Sequence, residues 1–186
     1  MQIKKLDNYG RGITYYNDAI MFVDNAIPNE KITVKNITKK KKFYEAEVDE
    51  IIESTSSRVV PKCPFYNQCG GCNMMHMSDD LQKEFKQNKV SEILGHHSNI
   101  YNEVKLNEND RQLFYRNKIT LKIKDGMWGY YNSKTHTLCP ITSCLIGKQE
   151  MNDIIQNHDF INIINGELYE RSKGIQTVYP CGKDHT

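Results

Sequence analysis

Residues 61–77 read PKCPFYNQCGGCNMMHM, and three cysteines in this stretch, Cys63, Cys69 and Cys72, stand within ten residues of one another. The Gly-Gly pair between the last two allows the backbone to fold tightly there at little steric cost. Thiolates are soft ligands, so this pattern favours zinc or an iron–sulfur cluster over magnesium or calcium. The stretch therefore predicts a metal-binding loop, and the alternative is a set of free buried thiols.

A metal site built on this loop needs a fourth ligand from elsewhere, because zinc and iron–sulfur clusters both take four protein ligands. The candidates are Cys139, Cys144, Cys181 and, for zinc alone, His76. His76 stands among methionines, which favours a packing role for it. The cysteine spacing by itself is as typical of zinc as of an iron–sulfur cluster.

The composition is that of a folded protein with a polar surface. The chain has 186 residues, a formal net charge of +2, 38% hydrophobic residues and 26% charged residues. No apolar run approaches the roughly 18 residues of a membrane span, and no hydrophobic stretch follows the N-terminal lysines, so we expect no membrane, no signal peptide and a cytoplasmic location. Disulfides are rare in that compartment, so metal binding is the first explanation for the six cysteines.

Positive charge is concentrated in two segments although the net charge is small. Residues 31–44 hold six lysines and no acid, and residues 111–124 hold five cations and no acid. Local patches of this kind attract nucleic-acid phosphates. The alternatives are a solvated loop and an ordinary half-exposed strand. The candidate nucleic-acid-binding residues are Lys39, Lys40, Lys41, Lys42, Arg116, Lys118, Lys122 and Lys124.

The first 60 residues predict several short β-strands. Residues 19–23, 31–37 and 43–52 are rich in β-branched and aromatic side chains, and turn-forming residues separate them. Several short strands within about 60 residues are typical of a small barrel of the oligonucleotide-binding kind.

Helices and hairpins are predicted beyond the cysteine loop. Ser78 is a good N-cap for a helix that Gly95 would end. Residues 115–124 alternate between apolar and cationic side chains, which predicts one strand with a basic face. The other predicted elements are a turn at Asp125-Gly126, a helix reaching Ile154 and Ile155, and a hairpin at Asn165-Gly166 that joins residues 160–164 to 167–171.

Residues 58–76, RVVPKCPFYNQCGGCNMMH, resemble the cluster motif of the bacterial RNA (uracil-5-)-methyltransferase family, of the type that modifies large-subunit rRNA. Residues 1–57, with MFV at 21–23 and AIPNE at 26–30, resemble the TRAM domain with which such enzymes begin. Asn29 replaces the glycine usual in the family. YRNK at 115–118 resembles the opening of the family's central domain. The resemblance covers most of residues 1–150 and fades afterwards.

This resemblance implies an α+β fold in three parts: a small TRAM β-barrel over residues 1–60, a cysteine-cluster loop over 61–77, and a partial antiparallel α+β central domain over 78–186. It also implies a [4Fe–4S] cluster with four cysteine ligands. Three of these map onto the loop cysteines, and Cys144, followed by an apolar pair, fits the fourth. Cys139 mimics that position but stands five residues early. Ligands supplied wholly by protein imply a structural cluster.

The family's chemistry is methyl transfer from S-adenosylmethionine to C5 of a uridine, in which a cysteine thiolate adds to C6 and a carboxylate removes the C5 proton. These residues belong to a C-terminal doubly wound domain. Only 36 residues follow residue 150, against roughly 100 for a domain. We therefore expect this domain to be absent, S-adenosylmethionine to bind only there, and rRNA or another structured RNA to be the partner. A further methyltransferase domain or chain would supply catalysis.

No catalytic residue is assigned within the chain. Cys181 lies between a proline and a glycine, but no base or cofactor pocket accompanies it. A zinc-ribbon nucleic-acid-binding module without enzymatic activity is the alternative function. A radical methylthiotransferase also carries a TRAM domain, but its cysteine spacing and domain order differ from those of this chain.

Overall fold

The computed structural model describes residues 1–98, 104–107, 111–124, 127–157, 166–171 and 174–180. The chain divides into two compact units. Unit 1 comprises residues 1–62 and 73–107, and unit 2 comprises residues 63–72 and 108–186. The cysteine loop therefore belongs to unit 2, although the chain on both sides of it belongs to unit 1. The compact units divide at residues 62 and 72, whereas the composition changes at residues 60 and 77.

Unit 1 contains a five-stranded sheet in the order β1-β2-β3-β5-β4. All neighbouring strands are antiparallel except β3 and β5, which are parallel. The predicted strands at residues 19–23, 31–37 and 43–52 are confirmed. The strands are β1 (Lys5–Leu6), β2 (Gly12–Tyr16), β3 (Ala19–Asp24), β4 (Lys31–Lys39) and β5 (Phe43–Glu53).

Local sequence explains the hairpin of β2 and β3. Asn17 and Asp18 adopt positive φ angles of 47° and 59° in its two-residue turn, a conformation that Asn and Asp tolerate better than most residues. A Cβ atom at Gly12 would lie 2.8 Å from the Ala26 Cβ, so only glycine lets the hairpin approach the core. That core is formed by Ile3, Met21, Val23, Ala26, Ile32 and Ala46.

The predicted α+β architecture with a closed TRAM-like barrel is wrong. The described residues are mostly sheet with two helices, and β1 and β4 form the two edges of the first sheet. Among the described residues, strand pairing between those edges is limited to an isolated bridge, Gln2 with Lys31, although backbone hydrogen bonds also join residues 1–3 to residues 29–32. Closure into a barrel requires a continuous ladder with matched tilt and stagger, and β1, two residues long, is too short to provide one. A period-two pattern predicts strands but does not encode their closure.

A buried ion pair fastens the segment after β5 to the sheet. Glu30 is fully buried, and its carboxylate accepts hydrogen bonds from Arg58 Nε and, at 2.7 Å, from Arg58 Nη2. The Ile27 backbone N–H donates to the same carboxylate at 3.2 Å. Arg58 Nη2 also donates to the Asn25 carbonyl at 2.7 Å. The carboxylate is thus paired and hydrogen-bonded, which a buried charge requires.

The helix α1 spans Asp79–Ser98. Its predicted N-cap is confirmed, because the Leu81 N–H donates to Ser78 Oγ at 3.3 Å. The predicted end at Gly95 is wrong, since the helix continues for three residues. A glycine weakens a helix interior by only about 1 kcal/mol, so it ends a helix only where the chain adopts a left-handed cap.

Unit 2 contains a three-stranded antiparallel sheet in the order β6-β7-β8, a helix and a separate hairpin. The predicted helix near Ile154 is confirmed as α2. The predicted turn at Asp125-Gly126 and residues 160–165 lie outside the described residues. The elements are β6 (Lys122–Lys124), β7 (Met127–Tyr131), β8 (Leu138–Pro140), α2 (Gln149–Asn157), β9 (Gly166–Arg171) and β10 (Gly174–Pro180).

The predicted strand over residues 115–124 is too long, since only its last three residues form β6. The preceding backbone pairs with the loop before α2 instead: the Arg116 N–H donates to the Ile146 carbonyl at 2.8 Å, and the Lys148 N–H donates to the Arg116 carbonyl at 3.0 Å. Ile119 and Leu121 are nevertheless buried, as their alternation predicts. One half of the hairpin predicted at Asn165-Gly166 lies outside the described residues, and its other half is β9, which pairs with β10. No helix within the described ranges is long and apolar enough to cross a membrane.

The buried ion pair yields a test of unit 1. Arg58→Met should lower the free energy of unfolding by about 3–5 kcal/mol, because it leaves the Glu30 carboxylate buried without its partner. Adding Glu30→Gln should recover part of that loss. Urea denaturation measures both variants. As a control, Lys31→Met removes the exposed Lys31–Glu53 pair and should shift the midpoint little. Equal stability of Arg58→Met and wild type would contradict this account.

Candidate metal centre and nucleic-acid interface

The cysteine loop is folded by its own backbone hydrogen bonds. The Tyr66 N–H donates to the Cys63 carbonyl at 3.2 Å, and the Cys69 N–H donates to the Phe65 carbonyl at 2.7 Å. The Tyr66 side chain is buried. These bonds turn the chain back on itself, so Cys63 and Cys69 belong to one compact loop.

The Gly-Gly pair allows this loop to lie directly on the hairpin of β7 and β8. A Cβ atom at Gly70 would lie 2.3 Å from the Tyr131 carbonyl oxygen, and one at Gly71 would lie 3.7 Å from the Tyr130 ring. Asn132 Nδ2 donates to the Gln68 carbonyl at 2.9 Å and holds the loop in place. Any side chain at position 70 would therefore push the loop backbone away from the backbone of the hairpin.

The packing gathers the thiols of unit 2. Burial raises the pKa of Cys69 to about 11, and the nearby Cys139, Cys72 and Cys144 thiols raise it further, while the Gly71 N–H, 3.4 Å from Cys69 Sγ, opposes the shift. Burial also raises the pKa of Cys72, with Cys144 and Cys63 adding to the effect. The three loop cysteines and Cys144 all belong to unit 2. The shifts and this shared unit agree with thiols that lie in one part of the molecule.

Cys144 is positioned by a buried side chain that the sequence did not single out. The Cys144 N–H donates to Asn152 Oδ1 at 2.6 Å, and Asn152 Nδ2 donates back to the Cys144 carbonyl at 3.1 Å. Asn152 is buried on α2 between Met151 and Ile155. An amide on the apolar face of an otherwise amphipathic helix is the signal that could have revealed this role.

Tyr130 borders the same group of thiols. Its side chain hydrogen-bonds with Cys144, and burial together with the Cys144 and Cys69 thiols raises the pKa of its phenol. The hydroxyl therefore stays protonated and can donate to sulfur. Trp128, on the same strand, is buried, which agrees with a packing role.

Two of the candidates for the fourth ligand, Cys139 and Cys144, belong to the same unit as the loop cysteines. Cys139 and Cys144 are buried; burial and the Cys63 thiol raise the pKa of Cys139, and Cys144 raises those of Cys69 and Cys72. All five described cysteines are free thiols. Cys181 lies outside the described residues. The choice of Cys144 stays a prediction.

The donor set suits a thiolate-bound metal centre. Within the described part of the chain, no three His, Cys, Asp or Glu side chains are already arranged to hold a metal ion. Four thiols from two segments nevertheless converge in one unit, beside the Gly71 N–H and the Tyr130 hydroxyl, which are donors suited to bound sulfur. In their chemistry, though not in the present arrangement of their side chains, these residues suit a group held by four cysteines.

His76, the alternative zinc ligand, belongs to unit 1. Its side chain is buried, and burial lowers its pKa to about 4, with the Arg58 charge adding to the effect. The Val59 N–H donates to the His76 backbone carbonyl at 3.0 Å. The imidazole is thus neutral and packed, as its methionine neighbours predict.

The lysine run forms the turn between β4 and β5. Lys39, Lys40, Lys41 and Lys42 are all exposed. Lys40 Nζ lies 3.2 Å from Glu45 Oε2, and Lys39 Nζ lies 6.0 Å from the centre of the Tyr44 ring. The run is therefore accessible to a phosphate backbone, and its role stays a prediction.

The second set of cations does not share one strand face. Arg116 and Lys118 precede β6 and are exposed, whereas Lys122 and Lys124 lie on β6. Lys122 and Lys124 are two residues apart on a strand and so point to the same side. All four belong to unit 2, and their contact with nucleic acid stays a prediction.

Several known proteins are similar to this chain, although no protein-family model matches it. An uncharacterized RNA methyltransferase of Enterococcus faecalis is 32% identical over an alignment of 187 residues, covering 93% of this chain and 40% of that protein. Another, of Bdellovibrio bacteriovorus, is 32% identical over 155 residues, covering 82% of this chain and 39% of that protein. The 23S rRNA (uracil(1939)-C(5))-methyltransferase RlmD of Shewanella sediminis is 38% identical over 94 residues, covering 50% and 21%. The chain thus spans about two fifths or less of these relatives.

One solved structure supports the same kinship at the level of the fold. The tRNA (uracil-54, C5)-methyltransferase of Pyrococcus abyssi, crystallised with S-adenosyl-L-homocysteine, matches with a TM-score of 0.61 and 24% identity. The match covers 96% of this chain and 40% of that one. The likeness extends over nearly the whole chain and shows that the two proteins share a fold there.

Asn152 provides a test of how the thiols are positioned. Asn152→Ala should lower the free energy of unfolding by about 1–3 kcal/mol, because it leaves the buried Cys144 N–H without its acceptor, whereas the Cys144 carbonyl keeps the Gly147 N–H as a donor. It should also reduce the metal retained after purification, measured by elemental analysis. Asp153→Ala, on the exposed side of the same helix, is the control and should retain wild-type metal content. Full metal retention in Asn152→Ala would show that Asn152 does not position Cys144.

Proposed function

The chain belongs to the RNA (uracil-5-)-methyltransferase family, and from that premise we propose that it is the N-terminal part of an enzyme that methylates C5 of a uridine in RNA. In this proposal the chain binds rRNA or another structured RNA and holds a [4Fe–4S] cluster. Binding of S-adenosylmethionine and methyl transfer belong to a further domain or chain. None of the described residues is given a catalytic role.

The convergence of the loop thiols with Cys144 is the observation that carries this proposal. The loop and the segment before α2 are distant in sequence but belong to one unit. A group bonded to Cys63, Cys69, Cys72 and Cys144 would cross-link them. Because metal binding contributes directly to folding free energy in small sites of this kind, the proposed cluster stabilises the unit.

The surroundings of the thiols support a structural role. Burial raises the pKa of Cys69 and Cys72, so ionised sulfurs are costly here unless they have a positively charged partner. Metal ligation requires the thiolates, and a bound iron centre supplies that charge. Four cysteine ligands leave no coordination position for substrate, so the cluster supports the fold.

The two groups of cations support the RNA-binding part of the proposal. The lysine run in unit 1 and the cations at and before β6 in unit 2 are placed on exposed or half-exposed backbone. Phosphate contacts of this kind supply affinity without reading sequence. We therefore propose that each unit carries cations able to contact RNA.

Metal analysis tests the nature of the centre. Protein purified without oxygen should be brown and contain iron with acid-labile sulfide. One colourless zinc ion per chain would instead support the zinc-binding module without enzymatic activity. Freshly prepared protein that contains neither iron nor zinc would overturn the proposed centre.

The ligand set has its own prediction. Cys69→Ser and Cys144→Ser should each lose iron and sulfide and melt at a lower temperature, because a cluster that loses a ligand no longer links the two segments. Cys139→Ser is the matched control and should retain both. Loss of the cluster in Cys139→Ser with retention in Cys144→Ser would assign the fourth ligand to Cys139. Retained iron and unchanged melting in Cys69→Ser would refute the site.

Charge reversal tests the cations of unit 2. Lys118→Glu with Lys122→Glu should weaken RNA binding, and the plot of log affinity against log salt should become shallower by about one unit for each phosphate that the protein no longer neutralises. Fluorescence anisotropy at several salt concentrations measures this slope. Lys83→Glu with Lys86→Glu, at two exposed positions of α1, makes the same change in charge elsewhere. An unaltered slope in the double variant would remove these residues from the interface.

A further inference from the structure

Unit 1 exposes large apolar side chains on one face of its sheet. Tyr15 on β2 is 57% exposed and Ile20 on β3 is 40% exposed. Both alternate along their strands with the buried residues Thr14 and Met21. These side chains therefore point away from the core.

The strand register places further apolar side chains on this outer face. Tyr15 pairs with Ile20, and Ile20 pairs with Phe43 on β5. In the next row, Ile13 pairs with Phe22. We name these five residues the aromatic face: Ile13, Tyr15, Ile20, Phe22 and Phe43.

The rings of the aromatic face are held in a fixed arrangement. Phe22 and Phe43 pack edge to face, with centroids 5.3 Å apart and planes at 76°. The Arg11 guanidinium carbon lies 4.5 Å from the Phe22 ring centre. Arg11 Nε lies 2.7 Å from Asp7 Oδ2, and Arg11 Nη1 lies 3.2 Å from Glu45 Oε1. The carboxylates thus hold the cation over the ring, and the face needs no rearrangement before binding.

Cations border the aromatic face on two sides. Lys5 on β1 is exposed and stands opposite Ile13 in the register. The exposed lysine run ends directly before Phe43. Glu45 contacts Arg11 and Lys40, so its charge is already balanced. An anionic ligand would meet positive charge next to the exposed Tyr15 ring and the half-buried Phe43 ring.

We propose that the aromatic face binds the bases of single-stranded RNA by stacking, while the adjacent lysine run contacts the phosphates. This rests on the proposed function and adds to it a surface that distinguishes unpaired from paired RNA. Tyr15 and Phe43 are two strands apart, about 10 Å, which allows each to take a separate base with Ile20 between them.

The chemistry of this surface favours single-stranded nucleic acid over a protein partner. Proteins that bind single strands combine a positive groove with aromatic rings on which bases stack. A protein-docking patch is instead depleted of charged residues at its core and of lysine relative to the rest of the surface. Here an apolar centre is bordered by a run of four lysines. The apolar centre suits the bases of an RNA strand, and the lysines suit its phosphates.

Variants of Tyr15 test the proposal in the 186-residue chain. The probe is a labelled oligouridine of about 12 nucleotides, with the corresponding RNA duplex for comparison. Tyr15→Ala should weaken single-strand binding roughly 5- to 150-fold, which corresponds to about 1–3 kcal/mol per stacked base. Tyr15→Phe should bind as wild type, and Tyr15→Leu should resemble Tyr15→Ala because it keeps apolar bulk but loses the ring.

Controls separate stacking from a loss of folding. Ile52→Ala removes an exposed apolar side chain from the far end of β5 and should leave binding unchanged. Melting curves of all variants should coincide, since Tyr15 is outside the core. The salt slope should be the same in Tyr15→Ala and wild type, whereas Lys41→Glu with Lys42→Glu should make it shallower.

Each outcome decides the proposal. Wild-type affinity in Tyr15→Ala or Tyr15→Leu, or equal loss of single-strand and duplex binding in Tyr15→Ala, overturns the stacking surface. If the lysine variants still weaken binding in that case, the proposed RNA-binding function stands without the aromatic face. If the wild-type chain binds neither probe, the RNA-binding part of the proposed function fails and the inference fails with it.

Discussion

The close packing of the Gly-Gly backbone onto the hairpin of β7 and β8 is the contact on which the candidate site depends. With 2.3 Å between a hypothetical Gly70 Cβ and the Tyr131 carbonyl oxygen, only glycine permits it. Through this contact the loop that carries three thiols lies beside the strands that carry Tyr130 and Cys139, and Asn152 brings Cys144 to the same place. A larger residue at position 70 would separate the loop from the hairpin and move the loop thiols away from those of the hairpin. The two glycines therefore contribute to the site because, without side chains, they allow the loop to approach the hairpin of β7 and β8.

The described elements of unit 2 are short: α2 is nine residues long, and the strands of the sheet of β6, β7 and β8 have three to five residues. Its buried apolar side chains include Ile119, Leu121, Trp128, Met151 and Ile155, and a fold of this size buries a modest hydrophobic area. Small folds of this kind are commonly stabilised by a metal. Thiolates at these positions would repel one another. The proposed cluster would make the electrostatic interaction favourable, because it supplies positive charge at their centre. Without metal these cysteines would lower the stability of unit 2 as thiolates. With the proposed cluster bound, they would link the loop to the segment before α2.

The sequence could predict what depends on local patterns. The cysteine spacing indicates the loop, period-two alternation indicates β3, β4 and β5, and Ser78 indicates the start of α1. Three features depend on tertiary contacts and could not be predicted in this way. Backbone pairing with the segment before α2 replaces the strand expected at residues 115–121, the two-residue β1 leaves the sheet open, and Asn152 is important only because Cys144 lies against it. The aromatic face also needs the register, since Tyr15 and Phe43 are far apart in sequence.

A C5-methylating enzyme has a physical reason to hold unpaired RNA. The C5 atom of a uridine within a stacked helix is poorly accessible, and enzymes that modify bases either use single strands or extrude the base at a cost of a few kcal/mol. Stacking of neighbouring bases on the aromatic face would offset part of that cost, because their stacking on one another is replaced by stacking on protein. The lysines lack this selectivity, since paired and unpaired RNA both carry phosphates. In the proposed enzyme, the cations therefore set how strongly RNA binds, and the aromatic face sets which conformation of the RNA reaches the catalytic domain.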